Sequence, residues 1–168
     1  MTIRPLTAAD HPLAESLLRD ALGGRMQARR GELVDVLDAD GLIALDGGGN
    51  PIGIATWHRS GTVAGAVTGA EVRAVAVAEA ARGRGVGRAL MDAAAVALRA
   101  AGIERAWLVT TNDNLAALAL YQQAGWRLSI LRPGAVDELR RTIKPSIPEI
   151  GEHGISLRDE LELELSLR

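Results

Sequence analysis

The chain has no cysteine and no phenylalanine, and only one tyrosine, three tryptophans and three histidines among its 168 residues. Without cysteine there is no disulfide, no thiolate metal site and no cysteine nucleophile. His11, His58 and His153 are scattered, with no metal-ligand spacing, so no metal is expected. With so few aromatics, Leu, Val, Ile and Ala must build the core, and a hydrophobic content of 48% is ordinary for a folded protein. No apolar run reaches membrane-spanning length and the N-terminus has no signal-peptide pattern. A soluble, cytoplasmic protein without a membrane partner is the expectation. The net charge of −2 argues against a partner held by bulk electrostatics, nucleic acid included. The length fits one domain over residues 1–168, with no internal repeat or linker.

What is there centres on residues 71–88, EVRAVAVAEAARGRGVGR. An apolar alternation through Val72, Ala74 or Val75, and Val77 stops at a polar turn. The chain then passes through Arg82, Gly83, Arg84, Gly85, Val86, Gly87 and Arg88 into an Ala-rich helical pattern. A strand feeding a glycine loop that opens a helix is an anion site, because the first helical N–H groups lack internal partners and the dipole is positive there. Glycine lets the backbone come close to a bulky anion, and the three arginines add charge and forked donors. This reads as a pyrophosphate cradle. The P-loop pattern is absent, since no Lys-Ser or Lys-Thr follows the glycines, and the dinucleotide pattern fails where Arg88 replaces its third glycine. A nucleic-acid arm would repeat the stretch and interleave aromatics, which this one does not; a plain surface turn is the other reading.

In chain order, residues 2–6 read as a short first strand. A helix follows with Thr7 or Asp10 as cap, Pro12 in its first turn and Leu13, Leu17, Leu18 and Leu22 on one face, ended by Gly23-Gly24. A second amphipathic stretch covers roughly Met26 to Asp38, with Leu33, Val34 and Leu37 on one face. Residues 41–45 and 52–58 pair as a hairpin across the turn Asp46 to Asn50. Residues 60–69, small and rich in Gly and Thr, read as a loop. After the cradle a helix ends at Gly102, a strand covers 106–110, a helix 114–123 and a strand 126–131. Arg132-Pro133-Gly134 breaks that strand, residues 136–141 form a turn or two of helix, and Pro145 and Pro148 exclude regular helix. The strict Glu/Leu alternation of residues 160–165 reads as a half-buried strand. The fold class is therefore α/β or α+β, a sheet with helices on both faces.

A second stretch, TNDNLAALALYQQAGW from Thr111 to Trp126, places Asn114, Ala117, Tyr121 and Gly125-Trp126 in a fixed spacing. Asn114 and Tyr121 are seven residues apart, almost two helical turns, and point the same way. Together with R-x-x-G-x-G at Arg82 to Gly87, this resembles the two conserved segments of the GCN5-related N-acetyltransferases (GNAT), with Trp where Phe is commoner. The resemblance covers most of the chain. Residues 132–155 depart from it as an insertion before the last strand, like that of one bacterial branch of the family. It implies a single acyltransferase domain with a mixed, twisted sheet of six or seven strands and about four main helices.

The resemblance also implies roles. Acetyl-CoA would be the acyl donor, its pyrophosphate held by Arg82, Gly83, Arg84, Gly85, Val86, Gly87 and Arg88. Its pantetheine arm would bond to backbone of residues such as Val75 and Val77, and the N–H of Val75 or Ala76 would polarise the thioester carbonyl. Tyr121 stands at the family's acid position; an ordinary tyrosine pKa of about 10 keeps it protonated at neutral pH. Asn114 would bond to the cofactor arm or a water, or cap its helix. Glu71 at the start of the central strand is the candidate base, with His58 and His153 as weaker candidates. With no cysteine, an acetyl-cysteine intermediate is impossible and direct transfer in a ternary complex is expected. The acceptor is an amine, on a small molecule in the first reading, on a protein N-terminus or lysine in the second. A third reading is an acyl-CoA-binding regulatory protein without turnover. Residues 144–155 and the segment between the first two helices should shape the acceptor pocket, and the last strand allows a homodimer.

Overall fold

The computed structural model describes residues 1–63 and 66–168. Its elements in chain order are β1 (Thr2–Pro5), α1 (His11–Leu22), β2 (Met26–Arg29), β3 (Glu32–Asp35), β4 (Asp40–Leu45), β5 (Pro51–Val63), β6 (Ala66–Val77), α2 (Val86–Ala100), β7 (Arg105–Thr111), α3 (Leu115–Gln123), β8 (Arg127–Arg132), α4 (Ala135–Thr142) and β9 (Glu160–Ser166). They fall into two compact units. One holds residues 1–25, 35–106 and 166–168, the other residues 26–34 and 107–165. Among the described residues no helix is long and apolar enough to cross a membrane.

In the first unit β1, β4, β5 and β6 lie side by side in that order, each pair antiparallel. Ile43, Ile54 and Ala76 are buried at the sheet, and Leu17 and Leu18 of α1 and Leu90, Met91 and Leu98 of α2 are buried with them. The start of α1 is tied down electrostatically. Asp10, nearly buried, accepts two hydrogen bonds from Arg4, at 2.8 and 2.7 Å, and two from the backbone and hydroxyl of Thr7. The Arg4 guanidinium, then Thr7, holds its carboxyl far below the usual carboxylate range. Helix α2 sits close over β5 because residue 53 is glycine. A β-carbon there would stand 2.9 Å from Leu90 Cδ1 and 3.0 Å from Val86 Cγ1. The height of α2 over β5 is therefore set by one missing methyl group.

Three expectations are corrected. The amphipathic stretch from Met26 to Asp38 contains the hairpin β2–β3, not a helix. Its turn is Arg30-Gly31, both at positive φ, and Leu33, which helical spacing assigned to the apolar face, is exposed. Residues 60–69 are mostly strand: β5 and β6 extend into them, with Ser60 opposite Gly69, while Ala64 and Gly65 lie outside the described residues. Small residues have little strand propensity of their own, but the ladder pairs Ser60 with Gly69, Thr62 with Val67 and Val63 with Ala66. Finally, β9 buries its glutamates as well as Leu163. Glu160 and Glu162 are both almost wholly enclosed.

The second unit explains that last point. There β9 lies between β7 and β8. Glu162 takes a 2.6 Å bond from Arg132 of β8, and Glu160 accepts one from the backbone N–H of Arg30 at the hairpin turn. The long segment between α4 and β9 holds only a 3-10 turn over Glu152–Gly154 and an isolated bridge between Ile150 and Ser156, and three polar side chains tie it down further. Arg140 donates to the carbonyls of Ile147, Pro148 and Leu157. Asn112 accepts from the backbone of Arg158 and Asp159 and donates to the carbonyl of Ser156. Asp113, buried, accepts from the backbone of Glu152. Prolines remove helix as an option, and these side chains replace the missing backbone pairing.

Gly53→Ala is expected to cost about 1–3 kcal/mol of stability by overpacking β5 against α2. Urea unfolding measures it; an unchanged midpoint would mean that α2 rides up freely and is not fixed by this contact.

Candidate active site

The candidate anion cradle is a loop whose backbone is dictated residue by residue. Strand β6 ends at Val77, and a single 3-10 turn over Glu79–Ala81 follows. Gly83 and Gly85 then adopt φ of 70° and 80°, the left-handed region that costs other L-residues roughly 1–2 kcal/mol. Gly85 is the residue preceding α2, and the first bond inside that helix runs from the N–H of Ala89 to the carbonyl of Gly85. The amides of Val86 and Gly87 precede it and so have no helical acceptor. Val86 and Gly87 are buried, while Arg82, Gly83, Arg84 and Gly85 are exposed. Arg88 turns along the helix, where its Nε meets both carboxylate oxygens of Asp92 at 2.9 Å. Two arginines, 82 and 84, thus present exposed charge at the loop.

Upstream, β6 carries a bulge. Thr56 of β5 stands opposite Ala74 and Trp57 opposite Val72, so Arg73 is the extra residue. Its Nε lies 3.4 Å from a carboxylate oxygen of Glu71, and the two side chains are 16% and 12% exposed. Glu71 is therefore a largely shielded carboxylate beside a guanidinium. Val75 and Val77 are half-buried and Ala76 is buried. His58 stands directly opposite Glu71 in the ladder and is exposed. The loop residue His153 sits at φ 57° in the 3-10 turn Glu152–Gly154 of the other unit.

In the second unit, Asn114 caps α3. Its Oδ1 accepts the N–H of Ala117 at 3.2 Å, so the helix-cap role is the one the geometry realises. Tyr121, on the same helix, is buried, with its ring 6.4 Å from that of Trp126. Burial pushes its phenol up to about 12, offset in part by the positive charge of Arg29. Such a hydroxyl holds its proton until another group takes it.

The structure thus forms Val75 to Arg88 as one continuous strand–loop–helix, with Glu71 in the middle of the same strand, which begins at Ala66 rather than at Glu71 as the sequence pattern suggested. It puts Asn114 and Tyr121 on one helix. Two groups were missed. Arg73 had a visible signal, a lone charge inside an apolar strand. Arg29, on a hairpin that reads as part of an amphipathic stretch, had none. Among the described residues, no group of three or more His, Asp or Glu side chains is placed to hold a metal ion.

Comparison with known proteins follows the same lines. The acetyltransferase (GNAT) family model matches residues 11–126. The uncharacterised protein YdhI of Bacillus subtilis is 35% identical over 113 residues, covering 65% of this chain and 70% of its own. An IAA acetyltransferase from Bacillus cereus superposes with a TM-score of 0.76 at 24% identity, covering 98% of each chain. A GNAT family acetyltransferase from Elizabethkingia anophelis, solved with acetyl-CoA bound, superposes with a TM-score of 0.75 at 23% identity, covering 98% of this chain and 97% of that one.

Because Tyr121 is the sole tyrosine, its ionisation can be followed by phenolate absorbance without interference from another. Its raised pKa means that the folded state gains stability from the neutral phenol. That gain is complete below about pH 10, the unfolded value, and is lost as pH rises toward about 12. Phenolate is expected to appear only close to pH 12 or with unfolding; its appearance near pH 10 in the folded protein would contradict the burial.

Proposed function

The chain belongs to the GNAT acetyltransferase family, and from that premise we propose that it moves an acetyl group from acetyl-CoA to a primary amine of a small molecule, directly, with both substrates bound. One observation carries the reading: the left-handed Gly83 and Gly85 that open α2 beneath the exposed Arg82 and Arg84. The donor set suits a pyrophosphate, with uncommitted helix-start amides and two forked cations and no acidic side chain in the loop itself. Val86 and Gly87 would supply amides, and Arg88 adds charge from its pair with Asp92. Val75, Ala76 and Val77 would give backbone bonds to the pantetheine arm. The acetyl-CoA bound in the Elizabethkingia anophelis protein supports the choice of donor.

The chain's own groups divide the proton work. An ammonium must lose a proton before its nitrogen can attack the thioester carbon, and Glu71 takes that proton. Attack forms the C–N bond and the C–S bond breaks; Tyr121 gives its proton to the departing sulfur and regains one from the acylated nitrogen, so the amide product keeps two N–H fewer than the ammonium brought and one proton, the one on Glu71, is released per turnover. A phenol held neutral by burial is always in the donating form at physiological pH. Glu71 and Arg73 are both largely shielded, and a small acceptor is the first reading for so enclosed a base.

The test is release of CoA thiol from acetyl-CoA against pools of small amines, amino acids, aminoglycosides and short peptides. The absence of cysteine lets a thiol reagent report product alone. Turnover is expected with one pool of small amines, and Tyr121→Phe should lower kcat by about a hundredfold or more, with little change in the KM for acetyl-CoA. Turnover only with peptides would move the acceptor to protein. Tight acetyl-CoA binding without turnover in any pool, and the same in Tyr121→Phe, would favour an acyl-CoA-sensing protein.

A further inference from the structure

Resting on that reading of Glu71, we infer that His58 is the proton outlet of the site: it takes from Glu71 the proton that each acceptor ammonium leaves there and passes it to solvent. Glu71 must be emptied once per turnover. Its side chain is only 12% exposed and is flanked by Arg73, so direct exchange with bulk water is restricted. The bulge at Arg73 shifts the β5–β6 register by one residue, and the result is that His58 stands directly opposite Glu71. Directly opposed residues project from the same face, with β-carbons about 5 Å apart, a gap that the two side chains or one water span. His58, unlike Glu71, is exposed. An imidazole is also the side chain that takes and releases protons near neutrality.

The step balances without a further reactant. The ammonium N–H passes to the Glu71 carboxylate, the resulting carboxylic acid gives the proton to the free nitrogen of neutral His58, and the imidazolium releases its proton to buffer. The charged neighbours do not compete for it. On β6 they are Glu71 and Arg73. On β5, Arg59 is engaged with Asp40 of β4 at 3.0 Å. Moving the histidine one position along β5 would put it on the other face of the ladder, so the pairing depends on the bulge.

The experiment compares wild type, His58→Ala and Glu71→Gln at saturating acetyl-CoA and amine, in dilute buffer without imidazole and again with added imidazole. His58→Ala, at an exposed position, should keep the wild-type melting temperature. Its kcat in dilute buffer should fall by about tenfold, less than the loss expected for a general base, with both KM values unchanged. Added imidazole should restore most of that loss in His58→Ala and do little for wild type. His58→Ala at the wild-type rate, or a loss that imidazole leaves untouched, would overturn the outlet. Glu71→Gln at the wild-type rate would instead remove the base on which it rests. Glu71→Gln should be nearly inactive and insensitive to imidazole.

Discussion

Two glycines in the left-handed region and one missing β-carbon fix how β6 passes into α2. Gly83 and Gly85 turn the chain from β6 into α2 within a few residues, and Gly53 lets α2 settle on β5. Each of these is a local steric fact, and together they leave the first-turn amides of α2 as the floor of the proposed anion cradle. The arginines are secondary. They add attraction, but one of them, Arg88, already spends its charge on Asp92. An anion site of this kind owes its position to backbone, which is why it withstands changes in the surrounding surface.

The chemistry assigned to the rest of the chain follows from how strongly each group is enclosed. Glu71 is largely shielded and lies beside the Arg73 guanidinium. Burial penalises the phenolate of Tyr121, so that side chain keeps its proton at physiological pH. In the second unit the same physics works on structure rather than chemistry. Glu160 and Glu162 are enclosed because a hairpin amide and Arg132 meet them, and Arg140, Asn112 and Asp113 hold a segment that prolines keep out of any helix. Polar groups replace regular pairing there, so the irregular segment still has a defined course.

The glycine loop and the helix after it were legible because their residue types are dictated one by one: glycine where φ is positive, and a helix pattern directly after. The helix of Tyr121 was legible through the spacing from Asn114 to Gly125. The hairpin β2–β3 was not, since Leu33, Val34 and Leu37 satisfy a helical spacing as well as a short strand, and only the Arg30-Gly31 pair marks the turn. Residues 60–69 were read as loop because their composition has no strand preference, whereas their pairing comes from the partner strand. The alternation of β9 told the period correctly but could not tell that the glutamate side is also covered. The opposition of His58 and Glu71 depends on a bulge at Arg73, and a one-residue shift of register is invisible in sequence.

The central claim is that the cradle grips a pyrophosphate. The measurement that tests it most directly is calorimetric binding of CoA beside binding of pantetheine, which has the same thiol arm and no phosphate. A cradle of helix-start amides and arginines predicts CoA binding tighter by about a hundredfold or more, an advantage that shrinks as salt is added. Equal affinity for the two, or no binding of CoA at all, would contradict it.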